Sequence, residues 1–109
     1  MPVAAQLDQT LAALADPVRR ATVELLAAGP RRAGDLAVAL RTTAPTMSKH
    51  LKVLRQHGLV DQTHPEFDAR VRVYALRSAP MLELRDWLDG FWDDALASFK
   101  EHAESGDKG

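Results

Sequence analysis

Residues 42–60, TTAPTMSKHLKVLRQHGLV, restrict the possible folds more than any other stretch of the chain. Apolar residues recur there at the three- and four-residue spacing of one helix face, and Gly58 ends the run. Thr43 stands where an N-cap is expected, and Pro45 falls in the first turn, where its missing N–H is tolerated. The apolar stripe consists of Met47, Leu51 and Leu54. The stretch therefore predicts an amphipathic helix that ends at Gly58.

A second helical segment lies directly before this helix. Residues 33–40, AGDLAVAL, predict a short helix, and residues 41–42 leave room only for a brief turn. Two helices joined in this way form a helix–turn–helix, whose second helix enters the DNA major groove with its N-terminal residues near the base edges. The sequence therefore predicts this motif over residues 33–58.

The rest of the chain supplies two earlier helices, a β-hairpin and a long last helix. The predicted elements are helices over residues 5–15, 17–28, 33–40 and 43–58, strands over residues 59–64 and 70–76 around a PEFDA tip, and a helix over residues 80–104. The expected fold class is mostly α with a β-hairpin wing, in the order α-α-α-α-β-β-α. Residues 1–104 are expected to form a single domain, and residues 105–109 a disordered tail.

Charge is distributed unevenly along the chain, although its net value is only −1. Residues 1–16 carry −2, residues 17–60 carry +6, residues 61–77 are neutral and residues 78–109 carry −5. No acidic residue lies between positions 36 and 60, whereas a solvated surface normally mixes both signs. Because binding depends on the local field, this segment indicates a polyanionic partner.

The side of the amphipathic helix opposite its apolar stripe carries groups suited to DNA. Thr46 can exchange hydrogen bonds or offer its methyl to thymine, Lys49 can reach guanine acceptors, and His50 can do either. These three are predicted to touch bases. Ser48 and Lys52 suit phosphate contacts, which position the protein on the duplex without reading its sequence. The predicted DNA-contacting residues are Thr43, Ala44, Thr46, Ser48, Lys49, His50, Lys52, Arg70 and Arg72.

Arg70 and Arg72 lie on one side of the predicted hairpin, within reach of an adjacent phosphate or the minor groove. Plainer interpretations of both basic features remain open at this point. The basic helix side can be an ordinary solvated surface, and the two arginines can instead form cross-strand pairs with Asp61 or Glu66.

Four stretches occur in an order and spacing typical of one protein family. They are ALADPVRRATVELLAAGP, AGDLAVAL, APTMSKHLKVLRQHGLV and RVRVYALR, within about residues 11–99. This arrangement resembles the ArsR/SmtB family of winged helix–turn–helix regulators, which are small dimeric bacterial proteins, mostly repressors, that leave their operators when an effector binds. The resemblance implies that Thr46, Lys49 and His50 touch bases and that Arg70 and Arg72 belong to the wing.

Metal sensing, common in that family, is not expected here. Members that bind arsenite or cadmium carry cysteines at the start of the third helix, and this chain has no cysteine. The four zinc-ligand positions on the last helix correspond to Asp86, Leu88, Phe99 and His102, of which two are apolar. A nearby acidic row, Asp86, Asp89 and Asp93, is better explained as a solvated helix face than as a cation site. We therefore expect no metal.

The last helix has more apolar surface than one small core requires. Its apolar residues cover about half of its circumference, whereas packing on one core needs a stripe of about 100°. The surplus predicts pairing with a second copy across a two-fold axis, through this helix and the first one. An alternative is that Trp87 and Trp92 line a ligand pocket. The predicted dimer-forming residues are Leu7, Leu11, Leu14, Leu84, Leu88, Phe91, Trp92, Ala95 and Phe99.

Other classes of protein receive little support from the sequence. No glycine-rich phosphate loop, paired catalytic carboxylates or nucleophile elbow is present, so neither an enzyme nor a cofactor is expected. A winged helix that binds only other proteins stays the alternative, because fold does not fix function. The N-terminus does not read as a signal peptide and no apolar run spans a bilayer, so a cytoplasmic dimer on palindromic double-stranded DNA is expected. The effector is not specified.

Overall fold

The computed structural model describes residues 5–64 and 70–106, so the predicted PEFDA tip at residues 65–69 lies outside the described residues. Helices dominate this part of the chain, and the expectation of a mostly α fold with a β wing is confirmed. The elements are α1 (Ala5–Leu14), α2 (Pro17–Ala27), β1 (Arg31–Arg32), α3 (Ala33–Ala39), α4 (Ala44–Gln56), β2 (Val60–Thr63), β3 (Val73–Leu76) and α5 (Ser78–Gly106).

The sheet has three strands instead of the predicted two. β3 lies in the middle, antiparallel to β2 on one side and to β1 on the other. β1 contains only Arg31 and Arg32, which lie opposite Tyr74 and Val73. The predicted order α-α-α-α-β-β-α was therefore wrong by one strand. A strand of two residues is too short to show an alternating pattern in the sequence. Only its pairing with the distant β3 identifies β1 as a strand.

Both hairpin strands are also shorter than predicted. β2 covers Val60–Thr63 rather than residues 59–64, and β3 begins at Val73 rather than at Arg70. The ladder ends at the pair Thr63↔Val73, although the alternating pattern of the sequence begins three residues earlier. Arg70 and Arg72 consequently stand on the connection that precedes β3, outside the sheet.

The hydrophobic core forms around α4. Its apolar stripe is fully buried, as predicted, and packs with Leu36 of α3 and Leu59. Thr22 of α2 is buried as well, and its hydroxyl donates to the Val18 carbonyl at 2.8 Å, which satisfies the polar group inside the core. Because one side of α4 is held in this way, its opposite side is fixed outward. The buried stripe is Met47, Leu51 and Leu54.

Side-chain hydrogen bonds join α1 and α2 at the junction between them. Asp16 accepts from the N–H groups of Val18 (2.8 Å) and Arg19 (3.0 Å) and so forms the N-cap of α2. Arg19 and Arg20 reach back to the carbonyls at the C-terminal end of α1, where cations are favoured. These two bases therefore stabilise the fold instead of adding to a DNA-facing side. The carbonyls belong to Ala12, Ala13, Leu14 and Ala15.

Replacing Asp16 with alanine is expected to lower the free energy of unfolding by about 1 kcal/mol at neutral pH. The hydrogen bond from the Arg19 N–H is the main cause that lowers the pKa of Asp16 below its usual 3.8. The stabilisation is therefore present above about pH 3.8 and lost as the pH falls through the lower folded-state pKa. Urea unfolding at pH 7 and near pH 3 checks this, with Asp86→Ala on α5 as the control. A variant as stable as the wild type at pH 7 would contradict it.

Positive φ occurs in the turn of the helix–turn–helix and directly after its second helix. Arg41, in the turn between α3 and α4, has φ 53°, and Gly58, just after α4, has φ 80°. A Cβ at Gly58 would lie 3.3 Å from Oε1 of Gln6, so a side chain there is disfavoured by both backbone and space. Gln6 also donates to the His57 carbonyl at 2.9 Å, which ties α1 to the end of α4.

α5 is longer than predicted and extends away from the core. It begins at Ser78, two residues before Pro80, and ends at Gly106, two residues beyond Glu104. Its 29 residues correspond to about 43 Å at 1.5 Å per residue, and the long axis of the molecule measures 67 Å. Met81 packs against the core, whereas the later turns run on past it. We call residues 87–103 the outer part of α5, and this part presents apolar side chains to solvent.

Candidate nucleic-acid interface

The outer side of α4 is formed by Thr46, Lys49 and Lys52, with Ser48 at its edge, and all four are exposed. Met47 and Leu51, on the opposite side of the helix, are fully buried, so α4 cannot turn without losing its core packing. At the N-terminal end Thr43 accepts from the Thr46 N–H at 3.2 Å and donates to the Thr46 hydroxyl at 2.9 Å. This cap leaves the oxygen of Thr46 on the surface, where it can meet a ligand.

His50 is placed differently from the other predicted base contacts. Its side chain is only 17% exposed, and its Nδ1 lies 3.8 Å from Oδ1 of Asp16. It lies about 300° around the helix from Met47, at the edge of the buried stripe and not opposite it. His50 therefore contacts the N-cap of α2 and offers only part of its ring to a ligand.

The two predicted wing arginines lie together at the start of β3. Arg70 and Arg72 are exposed and line one open groove with Arg32 of β1. The alternative of cross-strand pairing with Asp61 receives no support, because Oδ1 of Asp61 lies 3.9 Å from Nε of Arg77. Pairing with Glu66 concerns a residue outside those that the structure describes. The wing therefore contributes a basic edge beside the helix–turn–helix.

A second basic groove runs between α4 and β2. Lys52, Arg55 and Gln56 of α4 form one wall, and Val60 to Gln62 form the other, around a volume of about 450 Å³. Gln56 continues the outer side of α4 beyond Lys52, and it is not among the DNA contacts predicted from the sequence. Its position one turn after Lys52 on a 3.6-residue period was the available signal.

Metal ligands do not converge in the part of the chain that the structure describes. Within residues 5–64 and 70–106, no group of three or more His, Asp or Glu residues is arranged to hold a metal ion. Leu88 and Phe99, two of the positions that zinc-binding relatives would use, are exposed apolar side chains on α5.

The outer part of α5 carries an exposed apolar surface. Phe91 and Trp92 are 52% and 51% exposed, and Phe99 is 71% exposed. The ring of Phe91 stacks on Trp87 at 6.1 Å and meets the edge of Trp92 at 5.4 Å between centroids. A continuous surface of this kind on a small protein marks an interaction site. We call it the apolar side of α5, and it consists of Trp87, Leu88, Phe91, Trp92, Leu96 and Phe99.

The sequence is similar to those of known transcription regulators. Residues 14–63 match a family model described as a helix-turn-helix domain. The HTH-type transcriptional regulator Rv2034 of Mycobacterium tuberculosis is 41% identical over 98 residues, which cover 90% of this chain and 89% of the relative. A solved ArsR family transcriptional regulator is 31% identical, with a TM-score of 0.70, over 81% of this chain and 93% of that one. The chain belongs to the ArsR family of winged helix–turn–helix transcriptional regulators.

Two further similarities bear on how ArsR family members act. The transcriptional repressor SdpR of Bacillus subtilis is 28% identical over 86 residues, which cover 78% of this chain and 91% of SdpR. The homodimeric winged helix-turn-helix DNA-binding domain of Mb0332 from Mycobacterium bovis is 25% identical, with a TM-score of 0.65, over 84% of this chain and 82% of that one. Membership of the family makes this chain a DNA-binding regulator. No helix of the described segments has the length and hydropathy of a membrane span.

Proposed function

We propose that this ArsR family member is a repressor that binds a palindromic operator as a homodimer. The observation that carries the proposal is the outer side of α4, where Thr46, Lys49 and Lys52 are exposed while the opposite stripe is fully buried. A recognition helix needs this division, because one side must be fixed to the protein while the other enters the groove. The name of SdpR, a transcriptional repressor, supports the sign of regulation.

In this proposal Thr46 and Lys49 read base edges near the N-terminal end of α4. Thr43, Ala44, Ser48 and Lys52 contact the phosphates that flank those bases, and Arg70 and Arg72 of the wing add contacts to the adjacent backbone. His50 contacts a base through the exposed edge of its ring and holds α4 against Asp16, whose Oδ1 is 3.8 Å from its Nδ1. Arg19 and Arg20 are not part of the interface, because they bond the end of α1.

The homodimer is proposed from the apolar side of α5. Its side chains are between 36% and 71% exposed in the single chain, and burying a Leu or Phe side chain contributes about 1.5–3 kcal/mol. Leu11 of α1, 40% exposed, extends this surface, because α1 packs beside α5. In this proposal four less exposed residues pack behind the contact surface, namely Leu7, Leu14, Leu84 and Ala95. The homodimeric Mb0332 domain provides a precedent for the assembly.

Two-fold symmetry explains why the operator is expected to be a palindrome. A dimer presents two copies of α4 about 34 Å apart, one helical turn of B-DNA, so each copy reads one half-site. Seven of the eight acidic residues after position 77 lie on α5, which keeps their negative charge away from the basic side of α4. DNA as the target also makes the cytoplasm the proposed location.

Selection of duplexes from a random library, followed by sequencing, tests the proposal directly. We expect enrichment of an inverted repeat with half-sites about 10 base pairs apart. Analytical ultracentrifugation at micromolar concentration should show a dimer, and a reporter under the enriched sequence should be less active when the protein is expressed. If the protein enriched no DNA sequence but bound another protein, it would be a protein-interaction module, and the proposal would be wrong.

A further inference from the structure

A third arginine stands beside the two wing arginines, on the strand that the sequence did not predict. Within β1 the two side chains alternate, as in any strand. Arg31 is partly buried, and its Nε donates to the Leu25 carbonyl at 3.2 Å, whereas Arg32 is exposed. Because Arg32 lies opposite Val73 in the ladder, its neighbour across the sheet is the chain that carries Arg72. The sheet thus brings together residues forty positions apart.

Arg32, Arg70 and Arg72 line one groove of about 420 Å³ that is open to solvent. The groove is also lined by Ala33, Gly34 and Val71, and Asp35 supplies the one carboxylate among the lining residues. Arg32 and Arg72 alone outnumber this carboxylate by one positive charge. Among the residues that the structure describes, no ion pair within 4.0 Å joins a carboxylate to Arg32 or Arg72. These two guanidinium groups remain available for an anion.

We propose that this groove receives a phosphate of the DNA backbone and that Arg32 is a DNA contact. The inference rests on the proposed function, since it extends the same interface by one strand. A guanidinium presents two parallel N–H donors, a geometry that suits a phosphate group. The groove includes the first residues of α3, which joins α4 through the turn at Arg41. In this proposal a duplex held by α4 runs along this edge of the protein. A duplex also supplies phosphates in series, which suits several arginines in one groove.

Arg32→Gln tests the inference in the full-length protein. Fluorescence anisotropy is measured with the selected operator and with a random duplex between 50 and 200 mM salt. Each lost phosphate contact reduces the magnitude of the negative slope of log K against log[salt] by about 0.9. The substitution occurs twice in a dimer, so the magnitude should fall by about 1.8. The ratio of wild-type to variant affinity should then shrink about tenfold over this salt range. Arg32→Lys, which keeps the charge, should retain most of the slope.

Lys100→Gln provides the matched control, because it removes one exposed charge from the outer part of α5. It should leave the slope unchanged, and circular dichroism should show equal melting for all variants, since Arg32 is exposed. A wild-type slope in Arg32→Gln, or a loss confined to the operator, would overturn the inference and leave the proposed function intact. A wild-type protein that prefers no duplex would overturn the proposed function, and the inference with it. Inorganic phosphate that binds the wild type but not Arg32→Gln, and that does not displace the operator at matched ionic strength, would identify a free-anion site and overturn the DNA assignment.

Discussion

Phe91→Asp is expected to leave the protein folded but monomeric, and to remove most of its affinity for a palindromic operator. Phe91 is 52% exposed and belongs to the apolar side of α5, outside the cluster that forms the core. Its replacement therefore acts on assembly and not on folding. In a two-fold interface each substitution occurs twice, and each lost Phe contributes about 1.5–3 kcal/mol. The dimer dissociation constant should rise by about 100-fold to 10,000-fold.

Sedimentation and thermal unfolding together check this first prediction. The control is Ala97→Asp, which adds the same charge to an exposed position on the polar side of α5, about 120° from Phe91 around the helix. Ala97→Asp should remain a dimer and bind the operator as the wild type does. A Phe91→Asp protein that sediments as a dimer at micromolar concentration would show that the apolar side of α5 serves another purpose, such as a ligand pocket around Trp87 and Trp92.

The helices were predictable from sequence because their signals are local. The spacing of Met47, Leu51 and Leu54 follows from the helical period, and all three are fully buried. The two side-chain caps, Asp16 and Thr43, act within three residues of their own position, so their side-chain hydrogen bonds were predictable as well. Each of these features needs nothing from a distant part of the chain.

The sheet and the arginine roles were less predictable because they depend on distant residues. β1 exists only through its pairing with β3, and the start of β3 is set by where β2 ends. Arg19 was counted with the basic segment, but the carbonyls of α1 lie within reach of its guanidinium. Net charge along a sequence cannot separate such a structural arginine from one that faces a partner. The exposed side of α4 was accordingly predictable except at His50 and Gln56, and the basic groove on the wing was not, because Arg32 joins it only through β1.

Lys49→Ala is expected to reduce sequence discrimination strongly while preserving the dimer. Lys49 is exposed, lies about 200° around α4 from Met47, and is one turn beyond Pro45, in the part of the helix that the proposed interface brings to base edges. A lost base contact costs about 1–3 kcal/mol per half-site, so the affinity for the operator should fall by about 2–6 kcal/mol per dimer. Binding to a random duplex should fall much less, since it depends on phosphate contacts.

Lys52→Ala is the matched control for Lys49→Ala, because Lys49 and Lys52 are both exposed lysines on the outer side of α4. Lys52 lies one turn further along α4, where phosphate contact is expected, so its removal should weaken operator and random duplex by the same factor and lower the salt slope. Titration of both duplexes with each variant therefore separates base reading from positioning. If Lys49→Ala weakened both duplexes equally, Lys49 would be a phosphate contact, and the reading of bases would have to rest on Thr46 and the exposed edge of His50.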